Sequence, residues 1–141
     1  MYFMKIAFIA CKDNPVEIFS LLAKKISKKI SGLELEERFA PFLEDIPAIA
    51  LECSEESDFI FVFAVEDDEN KRKMIEDKLI DVEINSHTRI LKVIVEDNFS
   101  DLNEEEYEEE KEKLVDEYID IIVGILFNEN EFEPKDKDFS I

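Results

Sequence analysis

Apolar and polar positions alternate in blocks along this chain, and the period of the alternation switches repeatedly. Residues 5–10 (KIAFIA) form a short apolar run of strand formers and predict a buried strand. Pro15 suits the first turn of a helix, with Asn14 as its cap. Phe19, Leu22, Ala23, Ile26 and Ile30 then recur at helical spacing, with Lys24, Lys25, Lys28 and Lys29 on the other face. Gly32 is placed to stop that helix. Leu33 and Leu35 alternate with Glu34 and Glu36, which predicts a strand with one exposed face near a sheet edge.

Residues 40–47 read as a proline-bounded loop. Pro47 opens a short helix carrying Ile49, Ala50 and Cys53, and Asp45 stands where it caps that helix or touches a ligand. Residues 58–65 (DFIFVFAV) are apolar on both faces and predict the central strand. An acidic loop follows (Glu66, Asp67, Asp68, Glu69), then a helix from about residue 71 to residue 85. His87 and Thr88 lead into a fourth strand over residues 89–95. The helix after Asn103 opens with Glu-rich turns, suited to the positive end of its dipole, and buries Leu114, Tyr118, Ile121, Ile122 and Ile125. Residues 128–141 read as a charged C-terminal tail, a loose arm beyond a single domain at 1–127.

The order β-α-β-α-β-α-β-α calls for parallel pairing and right-handed crossovers. The expected architecture is α/β: a three-layer α/β/α sandwich around a four-stranded parallel sheet. Ligands in such folds bind beyond the carboxyl ends of the strands. Those ends carry residues 11–14, 40–47, 66–70 and 96–99.

Composition narrows the function. The 141 residues suit one domain, and the net charge is −20. So acidic a surface repels phosphate, which argues against nucleic acid and anionic membranes. It serves solubility, or adaptation to a salty or hot cell, or an acidic partner-binding face. No stretch is long and apolar enough to span a bilayer, and the first residues lack a secretory pattern, so the expected location is cytoplasmic. The two glycines, Gly32 and Gly124, are too few for a GxGxxG or P-loop phosphate cradle.

Candidate chemistry is sparse. Cys11 follows the first strand, but a nucleophilic thiol wants a His partner, and His87, the one histidine, lies on a helix-to-strand connection. Cys11 and Cys53 therefore read as unreactive thiols. Glu66, Asp67 and Asp68, joined by Asp13, offer oxygens to Mg²⁺, a hard cation; a solvated acidic loop is the alternative. The acidic pair and the later Lys of a receiver domain are not visible.

One loop carries a family resemblance. Ala40-Pro41-Phe42-Leu43-Glu44-Asp45-Ile46-Pro47-Ala48-Ile49-Ala50 resembles the V-P-G-x-x-D-L-P-x-A loop after the second strand of archaeal riboflavin synthases, which are similar in fold to lumazine synthases. Ser57-Asp58-Phe59-Ile60-Phe61-Val62-Phe63-Ala64 looks like that family's C-D-I-V-M-A-L-G strand. Ile121-Ile122-Val123-Gly124-Ile125-Leu126-Phe127 is similar to its last helix, which closes on Leu-Phe. Pro41, Asp45 and Pro47 are the sharpest matches. The resemblance implies a lumazine-synthase-like fold and a homo-oligomer, a pentamer, since both families form rings of five. It implies a transferase role in riboflavin biosynthesis, in which two 6,7-dimethyl-8-ribityllumazine molecules exchange a four-carbon unit. Candidate substrate-binding positions are then Pro41, Phe42, Asp45 and Pro47, with Asp13 and Asn14 of the first loop.

The departures are specific. The first loop reads Cys11-Lys12-Asp13-Asn14-Pro15, without the family's Phe and Arg. Phe42 stands where the family has Gly, and an aromatic ring there blocks a flat ligand or stacks on it. The third helix lacks the family's His, and Tyr118 falls near the position of a His in the last helix. Two expectations follow: a divergent riboflavin synthase, or a non-catalytic oligomeric relative that binds a small molecule or a protein partner.

Overall fold

The computed structural model describes residues 4–127. Four strands, β1 (Met4–Cys11), β2 (Leu33–Ala40), β3 (Phe59–Val65) and β4 (Arg89–Val95), alternate with four helices, α1 (Phe19–Ile26), α2 (Ile46–Ser54), α3 (Glu69–Ser86) and α4 (Glu104–Phe127). All strand pairs are parallel, in the order β2-β1-β3-β4.

Strand alternation divides the core in two. Ile6, Phe8 and Ala10 of β1 and Phe59, Phe61 and Phe63 of β3 face one side, where Leu22 and Ile26 of α1 and Val115, Tyr118, Ile119 and Ile122 of α4 cover them. Ala7 and Ile9 of β1 and Ile60, Val62 and Ala64 of β3 face the other side, beneath α2 and α3. With both faces covered, β1 and β3 must be apolar throughout, as their runs are. The chain steps one way from β1 to β2 through α1, and the opposite way through α2 and α3. Crossovers of one hand require that reversal to change faces, as it does. Tyr118 meets Phe61 edge-on, with ring centroids 5.5 Å apart. No helix among the described residues is long and apolar enough to cross a membrane.

Several boundaries differ from expectation. α1 starts at Phe19, so Pro15 precedes the helix and does not lie in its first turn. α1 ends at Ile26, not near Ile30. The Ser27 hydroxyl donates to the Lys24 carbonyl at 3.0 Å, and Lys28 N and Lys29 N donate three residues back, tightening the chain into a turn. Gly32 therefore serves the next strand: at φ 75° its carbonyl accepts from Met4 N at 3.0 Å, the first rung of the β1–β2 pair. β2 continues to Ala40 although its alternation breaks at Glu37, because eight consecutive positions pair with β1. α3 begins at Glu69 and ends at Ser86. His87 caps it at φ 59° and is exposed at the start of β4. The tail 128–141 lies outside the described residues, as do residues 1–3.

Candidate functional site

The sheet order puts the change of winding direction between β1 and β3. The crevice at their carboxyl ends is where folds of this plan bind ligands. Here Asn14 lies across it. Its Nδ2 donates to the Phe63 carbonyl at 3.1 Å, and its Oδ1 accepts from Val65 N at 3.2 Å. The β1–β3 pairing ends at Ala10 opposite Phe63, so the side-chain amide continues it by one imitation residue. Asn14 thus fastens the loop after β1 to the end of β3 and does not cap a helix as expected. The first turn of α1 is served by Glu17, whose carboxylate accepts from Ser20 N at 2.9 Å. Asp13, beside Asn14, is exposed.

Cys11, the last residue of β1, is buried. Burial raises its thiol to about 11, and the carboxylates of Asp13, Glu44, Glu66 and Asp45 add to the shift. Cys53 is also raised, chiefly by burial, although Arg38 Nη1 lies 3.6 Å from its sulfur and opposes the effect. Both are free thiols, and both favour the protonated, unreactive form.

After β2, Pro41 and Phe42 lead into a 3₁₀ turn (Leu43–Asp45) that holds Asp45 and runs directly into α2, where Pro47 lies. Asp45 does not cap α2 with its side chain. Its Oδ2 accepts from Phe42 N at 3.1 Å, while its own N–H donates to the Phe42 carbonyl at 3.0 Å. The turn is thereby closed on itself, Leu43 points inward, and the Phe42 ring stands 68% exposed. Pro47 occupies the first turn of α2, where its missing N–H costs nothing.

The acidic loop is organised by backbone N–H groups. Asp68 caps α3, accepting from Asn70 N and Lys71 N. Glu66 accepts from Asp68 N at 3.0 Å, and Asp67 accepts from Asp97 N at 2.9 Å, tying this loop to the one after β4. Arg72 donates to the carbonyls of Glu66 and Asp67 at 2.8 and 2.9 Å and pairs with Glu96 at 3.3 Å. Among the described residues no three acidic, His or Cys side chains converge as metal ligands. Glu66, Asp67 and Asp68 are thus each turned to a different structural task. Asp97, with three donors from Phe99 N, Ser100 N and the Ser100 hydroxyl, has its carboxyl held below the usual range.

A small cavity of about 60 Å³ opens beside Asn14, between α1 and the outer strand β2. Phe8, Phe19, Phe39 and Phe63 wall it, and the carboxylates of Glu17 and Glu37 line it. Lys12 lines it as well, so two carboxylates and one cation share the cavity. Burial raises the Glu37 carboxyl, and the charge of Glu17 adds to this. Glu37 has no ion-pair partner among the described residues. Phe39 is 53% exposed. Neither Glu37 nor Phe39 was singled out from sequence; the available signal was a large apolar residue on a strand otherwise reading as an acidic edge. No family model matches the chain, and no curated protein matches it.

Proposed function

We propose that this protein is a non-catalytic binding domain. The observation that carries the reading is the Asn14 bracket. Where folds of this plan admit a ligand, this chain uses the crevice for hydrogen bonds of its own. Neighbouring groups add support. Proton transfer needs a group that titrates near working pH. The Cys11 thiol is raised to about 11, and His87 lies at the opposite end of the sheet. The test is incubation with 6,7-dimethyl-8-ribityllumazine across a broad pH range, followed by riboflavin fluorescence. No turnover is expected, and turnover above the uncatalysed rate overturns the reading.

A divergent riboflavin synthase is the second reading, and Phe42 favours it. Its ring is presented to solvent beside Pro41 by a self-closed turn, a surface on which a flat heterocycle can stack. On this reading the same assay gives riboflavin, and Phe42→Ala lowers the rate. Both readings carry the expectation of a homo-oligomer, a pentamer on the family resemblance. Light scattering showing only a 16.5 kDa species would remove that expectation.

A further inference from the structure

The sheet has two edges, and they are treated differently. Val95 O accepts from Glu66 N, so the odd-numbered residues of β4 face β3 and the even-numbered ones face outward. On that outward side Glu83 Oε2 accepts from Ile90 N at 2.8 Å, and Lys92 Nζ donates to the Ile90 carbonyl at 3.0 Å while pairing with Glu83. Side chains have thus occupied the first rung a newcomer strand would use.

β2 lacks such a guard. Met4 N donates to Gly32 O, and Lys12 N donates to Ala40 O, so even-numbered residues of β2 face β1. The N–H and C=O groups of Leu33, Leu35, Glu37 and Phe39 then point outward along an eight-residue strand. Among the described residues nothing bonds to them. The side chains of Glu37 and Phe39 enter the aromatic cavity that lies along this edge.

The charges indicate what the edge would accept. β2 carries Glu34, Glu36 and Glu37. Its one cation, Arg38, is engaged by Glu52 at 2.9 Å and lies 3.9 Å from Glu36, which also holds Lys5 at 3.1 Å. A second copy pairing symmetrically about the middle of β2 would set Glu against Glu, which is destabilising. A basic strand meets the opposite situation, on a protein of net charge −20.

We propose that the outer edge of β2 accepts one extended, basic segment of a partner protein, which adds as a fifth strand and inserts a Lys or Arg side chain between Glu17, Glu37 and Phe39. Main-chain hydrogen bonds supply affinity, and the cavity supplies selectivity: two carboxylates for the cation and a ring face for its stem and charge. The proposal rests on the reading of the chain as a binding domain and names its partner class.

The test uses the full chain and three synthetic peptides: one alternating Lys with Val, its counterpart with Glu for Lys, and the Lys peptide N-methylated at alternate residues. Amide hydrogen exchange is followed residue by residue. The Lys peptide is expected to protect the amides of Leu33, Leu35, Glu37 and Phe39, to leave those of Lys92 and Ile94 unchanged, and to bind more weakly as salt rises. The Glu and N-methylated peptides are expected to protect nothing. Glu17→Gln with Glu37→Gln is expected to weaken binding by about tenfold. Leu35→Pro removes an outward N–H that the sheet does not use, so it is expected to keep the circular dichroism of the fold and abolish protection. Equal binding of the N-methylated peptide, protection at β4 instead, or protection of β2 amides by self-association without peptide would each overturn the proposal. Turnover of the lumazine would overturn the non-catalytic reading without touching these exchange results, so the two failures are distinguishable.

Discussion

Asn14 donates from its side-chain amide to the carbonyl of Phe63, 49 positions away in sequence, at 3.1 Å. The same side chain accepts from Val65 N, so one side chain takes both a carbonyl and an N–H at the end of β3. Asn14→Ala would leave a half-buried carbonyl and a half-buried N–H without these partners. The expected loss is about 1–3 kcal/mol of stability, measured by urea denaturation. Asn14→Asp keeps the acceptor but sets a carboxylate oxygen against the Phe63 carbonyl, and is expected to be destabilising as well. A midpoint unchanged in Asn14→Ala would show that the bracket does not hold the crevice.

Alkaline pH should weaken the fold through two buried acids. Cys11 is raised from 9.0 to about 11, and Tyr118 from 10.0 to about 12, in both cases mainly by burial. A raised acid stays neutral in the native chain while its unfolded counterpart has already lost the proton. The unfolded state then binds fewer protons, and stability falls as pH rises. The decline is expected to begin near pH 9 and to continue toward pH 12, with none from these groups below that window. Thermal melts across this range check it. In the native protein at neutral pH, Cys11 should react with iodoacetamide far more slowly than after denaturation.

The fold was legible because its signals are local. The β3 run, apolar on both faces, could only be a covered strand, and Pro47 and Asn103 marked the helix starts within a residue or so. Asn103 indeed caps α4, exchanging bonds with Glu106. The candidate site was far less legible, because its roles are set by groups distant in sequence. Asn14 and Asp45 each looked like a helix cap. Tertiary partners claimed the first and the preceding turn claimed the second. The carboxylates of residues 66–68 looked like a ligand set until the backbone N–H of residues 68, 70, 71 and 97 met them. Arg72, which braces that loop, carries no local motif at all.

Glu83 should matter more than an ordinary surface carboxylate. It takes Ile90 N and Lys92 together, and both members of the ion pair are about three-quarters covered. Glu83→Ala leaves a strand N–H open and a half-buried ammonium without its partner. The expected cost is about 1–3 kcal/mol, with Glu83→Gln milder because it still accepts from Ile90 N. The exposed edge of β4 is also expected to promote self-association at high protein concentration, visible by light scattering. An alanine variant as stable and as monodisperse as the parent would show that the guard is not needed.

Phe61 and Phe42 provide the sharpest contrast between scaffold and surface. Phe61 is fully buried in the middle of β3, within 5.5 Å of both Phe8 and Tyr118 by ring centroid. Its removal leaves a void that the flanking helices can only partly close. Phe61→Ala is expected to cost about 3–5 kcal/mol. Phe42 is 68% exposed on a turn whose closure depends on backbone groups and Asp45, not on its ring. Phe42→Ala is therefore expected to change stability by no more than about 0.5 kcal/mol. Chemical denaturation measures both. If Phe42→Ala instead cost several kcal/mol, the ring must be covered in solution by another surface, and concentration dependence of the midpoint would identify a second copy as that surface.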